Sequence, residues 1–167
     1  MEEIRIKPLT TALAALAVLC LPASVTAQGS LQPLQSEVRV DGLFAADPAV
    51  HAGYGLTLPA GIYVRTGLVL GAGVGRHGLE GRSDLIARFT FDPLRQSRWG
   101  PYGGAGVSAR LNSTDEGGTE GYLLFFLGME GPLPLGRSRG WVPFLEAGVG
   151  GGTRVGIGLR RAIHSRR

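Results

Sequence analysis

Residues 62–75 of the chain read IYVRTGLVLGAGVG, and they fall into two chemically distinct sets at every second position. The even set is Ile62, Val64, Thr66, Leu68, Leu70, Ala72 and Val74. The odd set is Tyr63, Arg65, Gly67, Val69, Gly71, Gly73 and Gly75. Successive side chains of a β-strand point to opposite faces, so a strand makes one face apolar and leaves the other to glycine and arginine. A helix mixes the two sets. This period of two constrains the fold more than any single motif does.

The same alternation returns along the chain. Val38, Val40 and Phe44 oppose Glu37, Arg39 and Asp41. Val50, Ala52, Tyr54, Leu56 and Leu58 oppose His51, Gly53, Gly55 and Thr57. Leu85, Ala87, Phe89 and Phe91 oppose Asp84, Arg88 and Thr90. Ala105, Val107, Ala109 and Leu111 oppose Gly104, Gly106, Ser108 and Arg110. Leu123, Phe125, Leu127 and Met129 oppose Gly128 and Glu130, although Leu124 and Phe126 blur that run. Leu145, Ala147 and Val149 oppose Glu146, Gly148 and Gly150. Val155, Ile157 and Leu159 oppose Arg154, Gly156, Gly158 and Arg160. These runs make eight short strands, with no convincing helix among them.

The glycines raise a rival reading. Gly73, Gly75 and Gly78 have the G-x-G-x-x-G spacing of a dinucleotide-binding turn, and Asp92 stands near the distance of a ribose-binding carboxylate. That turn must open a helix whose N-terminus holds the pyrophosphate. Here only residues 79–83 precede the next strand, and Gly81 interrupts them. A parallel crossover needs a dozen residues or more. The letters AGV also recur at residues 72–74, 105–107 and 147–149, which marks a repeated structural element.

A soluble sandwich alternates too, but its solvent face is not mostly glycine, which weakens strands. A closed barrel in a membrane accounts for both faces. Lipid touches the apolar side, while glycines and charges fill a narrow interior, and closure leaves no unpaired backbone edge in lipid. The predicted fold is therefore all-β: a closed antiparallel up-and-down eight-stranded transmembrane β-barrel, preceded by a cleavable signal peptide. A soluble periplasmic ligand-binding barrel stands as an alternative.

The N-terminus fits export. An apolar run, LTTALAALAVLCLPA, is followed by VTA, so the expected cleavage lies between Ala27 and Gln28. The domains read as a signal peptide over 1–27, a short lead over 28–35, the barrel over 36–163 and a basic tail over 164–167. The only cysteine, Cys20, lies in the signal, so neither a disulfide nor a thiol nucleophile is expected in the mature chain. The formal charge of +4 raises nucleic acid as a partner, but the placement of the arginines argues against it.

A longer repeat supports the barrel. WGPYGGAGV at residues 99–107 aligns with WVPFLEAGV at 141–149, 42 residues on, in the shared pattern W-x-P-[YF]-x-x-A-G-V. Both copies enter from the same end in the same phase. Trp99 and Trp141 face outward, where indole suits a membrane interface. Pro101 and Pro143 sit at strand starts, where a missing N–H is tolerated. With these two segments and the closing TRVGIGLRRAI, the chain resembles the small eight-stranded outer-membrane β-barrel family typified by outer membrane protein A. The resemblance covers residues 36–163. Members usually end on a C-terminal aromatic that helps recognition by the barrel-assembly machinery; Ile163 stands in that place here, with HSRR behind it.

The resemblance implies an outer-membrane location in a Gram-negative-type envelope, with outer-membrane lipids and the barrel-assembly machinery as partners. The chain is expected to be a monomer. No cofactor, metal or nucleic acid is expected. The inward set predicts an interior charge network of Glu37, Asp41, Asp84, Glu130 and Glu146 with Arg39, Arg65, Arg88, Arg110, Arg154 and Arg160. An eight-stranded barrel is just wide enough for side chains to fill it, so a structural or surface-interaction role with a plugged interior is expected. A narrow pore for small solutes is the alternative. A lipid A-modifying enzyme is a further one, but His51, His77 and His164 form no recognisable triad with a serine and an acid. Asp115, Glu116 and Glu120 lack the spacing of an EF-hand loop.

Overall fold

The structure, a computed structural model, describes residues 33–76, 78–92, 94, 96, 98–112, 118–131 and 140–163. The signal peptide with its Ala27–Gln28 junction, His77, Asp115, Glu116 and the tail from His164 lie outside these residues. Eight strands follow in order: β1 Leu34–Phe44, β2 Ala49–Pro59, β3 Val64–Gly75, β4 Gly78–Thr90, β5 Gly100–Asn112, β6 Thr119–Glu130, β7 Val142–Val149 and β8 Thr153–Ile163. Each pairs antiparallel with the next, and β8 closes on β1 with Glu37 opposite Arg160. Closure gives every strand a paired neighbour on both sides, with β6 pairing with β7 from Phe125 to Glu130. The strands run from 8 to 13 residues, close to the ~9–11 that a tilted strand needs to cross hydrocarbon.

The start of β1 and the end of β8 define the lower end of the barrel; the turns after β1, β3, β5 and β7 define the upper end. β1 begins two residues ahead of the expected start at Ser36. Outward positions carry exposed Leu68, Leu70, Leu123, Phe125, Leu127 and Ile157, so the apolar face looks away from the interior. Such a continuous exposed apolar surface is foreign to a soluble protein and suits hydrocarbon.

Two expectations change. The segment RHGLEGRSD looks like a loop by composition, yet β4 starts at Gly78 and pairs with β3 from Gly75↔Gly78 onward. Its alternation is real: Glu80, Arg82 and Asp84 are buried inward, with exposed Leu79 before them and half-buried Gly81 and Ser83 between. Charges mark loops in soluble proteins, but in a barrel they also mark the interior. The turn is correspondingly tight, and Gly78 at φ 119° adopts a conformation that other residues rarely do.

The interior is also less purely polar than expected. Val69, Ile86, Tyr102, Leu124 and Phe126 form a buried cluster on the inner side of β3–β6. Leu124 and Phe126, which blurred the alternation of β6, are therefore inward residues.

The glycines of the AGV repeats answer the question their spacing raised. Gly73 lies between His51 and Glu80 on its neighbouring strands. Gly106 lies between Ile86 and Leu124. Gly148 lies between Phe126 and Arg154. Each bare position thus accommodates bulky inward side chains on both sides. A Cβ on Gly73 would stand 2.7 Å from His51 Cα, and one on Gly148 would stand 2.9 Å from Phe126 Cβ. The dinucleotide-binding reading ends here, since these glycines lie in strands of a barrel wall.

Candidate functional site: a charge ladder inside the barrel

Every one of the eleven charged residues assigned to the interior from sequence is buried. Inward strand positions from β1, β3, β4, β5, β6, β7 and β8 bring them together, because alternate residues share the inner face.

At the lower end, Arg160 is the centre. Its Nε donates to Glu37 at 2.7 Å and its Nη1 to Glu130 at 2.9 Å, while Nη2 stands 3.5 Å from Glu146. Arg88 lies nearby, 3.7 Å from Glu37 and 3.8 Å from Glu130, and donates to the Gln35 side chain at 2.7 Å. Arg65, beside them at the start of β3, donates to the Thr57 hydroxyl at 3.5 Å and the Pro33 carbonyl at 2.5 Å.

Arg39 carries the ladder upward. It meets Glu37 at 3.2 Å, Glu146 at 2.7 Å and Asp41 at 2.6 Å. Asp41 then accepts from Arg82 at 2.5 Å, and Arg154 bonds Asp84 at 2.7 Å while standing 3.6 Å from Asp41. Ion pairs therefore connect Arg88 and Glu130 near the lower end to Asp84 and Arg154 above. A separate group stands at the upper end. There Arg110 grips both oxygens of Glu80, at 2.6 and 2.8 Å, and His51 Nε2 lies 3.4 Å from the same carboxylate.

Sequence reasoning missed Glu80 and Arg82, both hidden in the loop-like composition of early β4. It also missed the aromatic partners of the ladder. Arg160 lies between Phe144 and Tyr102, its Cζ 3.8 and 4.6 Å from their ring centroids. Arg88 stands over Tyr102 at 5.3 Å, and Arg39 over Phe144 at 5.5 Å. Tyr102 and Phe144 are the [YF] positions of the W-x-P-[YF] repeat, so the repeat itself held the signal. Each faces a glycine across the wall, Gly128 for Tyr102 and Gly158 for Phe144. Trp99 and Trp141, the other aromatic of each copy, are exposed at the lower end.

Ser108 Oγ donates to Asp84 at 2.7 Å, and neither ring nitrogen of His51 makes a hydrogen bond, so no serine–histidine pair forms between them. The interior void beside them is only about 10 Å³.

Neither a protein-family model nor a curated protein matches the sequence. Solved structures do match in shape. A de novo designed transmembrane β-barrel superposes with a TM-score of 0.57 at 16% identity, over 81% of this chain and 98% of that one. The outer membrane protein OprG from Pseudomonas aeruginosa superposes with a TM-score of 0.55 at 12% identity, over 83% and 99% of the two chains. The fold is that of a transmembrane β-barrel. At these identities the likeness is one of architecture alone.

Proposed function

We propose that this chain is an outer-membrane β-barrel protein of the outer membrane protein A-like kind, with a structural or surface-interaction role and an interior plugged by ion pairs. In this reading a signal peptide exports it, the barrel-assembly machinery inserts it, and it sits as a monomer among outer-membrane lipids. It needs no cofactor, binds no nucleic acid and catalyses no reaction. The observation that carries the plugged interior is the ladder from Arg88 and Glu130 to Asp84 and Arg154, whose members are all buried. Solute passage along this axis would have to separate pairs such as Arg39–Glu146 and Arg160–Glu37, and breaking a buried pair leaves an uncompensated charge.

Planar-bilayer recording on refolded protein tests this reading, with heat-dependent gel mobility to confirm that the barrel is folded. The expected result is a folded band and no steady conductance. A stable open channel of substantial conductance overturns the plug and favours the narrow-pore reading. Export is tested separately. Mass spectrometry of envelope-extracted protein is expected to find Gln28 at the N-terminus, and an intact Met1 there sinks the secreted-barrel reading.

A further inference from the structure

The upper end of the ladder contains a void that the plug does not explain. Its polar walls are His51, Arg82, Arg110 and Arg154 with the hydroxyls of Ser108 and Tyr122, and no carboxylate is among the residues lining it. We propose that this void is a binding site for one small monovalent anion of the chloride class.

Size comes first. A void of about 10 Å³ is close to the least that holds one water-sized sphere. Polyatomic anions such as phosphate are too large for it.

Donor chemistry comes second. Arginine offers only N–H donors, and a histidine ring always has at least one. Arg82 Nε, Arg154 Nε and both nitrogens of the fully buried His51 make no hydrogen bond. Arg82 Nε is 3.2 Å from Asp84, and Arg154 Nε is 3.6 Å from Asp41, so charge contacts remain without an aligned N–H bond. Both hydroxyls already donate away from the void, Ser108 to Asp84 and Tyr122 to Glu120. An occupant must therefore accept. A water would also bring two hydrogens, for which the side chains lining the void offer two hydroxyl oxygens and, in a neutral His51, one ring nitrogen. An anion brings none.

Charge balance comes third. Among the described residues, the buried set holds seven arginines and six carboxylates. The next inward-phase carboxylate, Glu120, is exposed at the rim. The buried set as a whole thus carries one more positive than negative charge. Three of the seven arginines line the void, each also paired with a carboxylate outside its lining, Arg82 and Arg154 with Asp41 and Asp84 and Arg110 with Glu80, so an anion there adds a counter-charge where three guanidinium groups converge.

The test uses refolded full-length mature protein in detergent micelles. A ligand that binds only the folded state raises its stability in a saturable way. Thermal unfolding is followed while chloride replaces gluconate, which is too bulky to enter, at constant ionic strength. The expected result is a saturating rise in midpoint of about 4 °C or more. His51→Phe, which fills the void with an apolar ring, is expected to remove that response; Arg65→Gln, at the other end of the barrel, is expected to keep it. Should His51→Phe fail to fold, crystals of the wild-type protein grown in bromide decide the matter, with an anomalous peak expected between His51, Arg82 and Arg154. Equal stability in chloride and gluconate, or a void filled by water with no bromide signal, overturns the proposal. The measurement is independent of conductance and location, so its failure leaves the membrane role standing.

Discussion

At the residue scale, the interior makes unequal demands on its charges. Glu146 accepts from Arg39 at 2.7 Å and from the Tyr102 hydroxyl at 3.2 Å, and stands 3.5 Å from Arg160. Glu146→Ala takes one counter-charge from each of two buried arginines, Arg39 and Arg160, which keep Asp41 and Glu37 and Glu130 as their remaining partners. The expected loss is on the order of 3 kcal/mol, since breaking a buried pair is strongly destabilising. Arg65 sits at the lower end and reaches the Pro33 carbonyl near the barrel's start. Arg65→Ala is therefore expected to cost clearly less than Glu146→Ala. Urea unfolding in lipid vesicles, followed by tryptophan fluorescence, measures both, and an equal or reversed order contradicts this account of the ladder. The glycines give a second comparison. A Cβ on Gly106 would stand 3.0 Å from Ile86 Cα in the neighbouring strand, whereas one on Gly81 would meet Leu111 side-chain atoms at 3.7 Å. Gly106→Ala is expected to lose roughly 1–3 kcal/mol by overpacking, and Gly81→Ala much less. Similar stabilities for the two would remove the packing role assigned to the AGV repeats.

At the element scale, β4 shows what the sequence made legible and what it hid. The period of two exposes the strands because lipid and interior impose opposite chemistry on alternate residues. It fails where one face departs from its usual chemistry. Glu80 and Arg82 read as loop residues because their charges cluster beside Gly78 and Gly81. Val69, Ile86, Leu124 and Phe126 read poorly because an apolar inward residue resembles its outward neighbours. The charge ladder itself was legible, since an isolated arginine or carboxylate in an apolar strand has only one place to go. Register is the physical test of β4. A one-residue slip turns every side chain to the other face. An insertion between Gly81 and Arg82 would drive Glu80 or Arg82 toward lipid, and it is expected to abolish the heat-modifiable folded band. An insertion between Arg76 and His77, at the β3–β4 turn, is expected to preserve it. A loop at residues 76–84 would tolerate both.

At the scale of the whole molecule, the remaining question is which end faces out. Eight strands place the start of β1 and the end of β8 at the lower end, together with the β2–β3, β4–β5 and β6–β7 connections. Trp99 and Trp141 are exposed there, as indole prefers at a membrane interface. The lower connections carry Arg95, Arg98, Arg137 and Arg139 in sequence, while the β5–β6 connection at the upper end carries Asp115 and Glu116. Of these, Arg98 is described and exposed, and the others lie outside the described residues. The barrel is thus basic at one end and locally acidic at the other. In the family it resembles, the end with both termini is periplasmic, so the β5–β6 connection is expected on the cell surface. An epitope tag between Gly117 and Gly118 should be reached by antibody on intact cells. A tag at Ser97 should be reached only after the outer membrane is opened, and protease added to intact cells should cut the first site and spare the second. If Ser97 were the accessible site, the barrel would stand inverted, and the void beside His51 would open toward the periplasm instead of the medium.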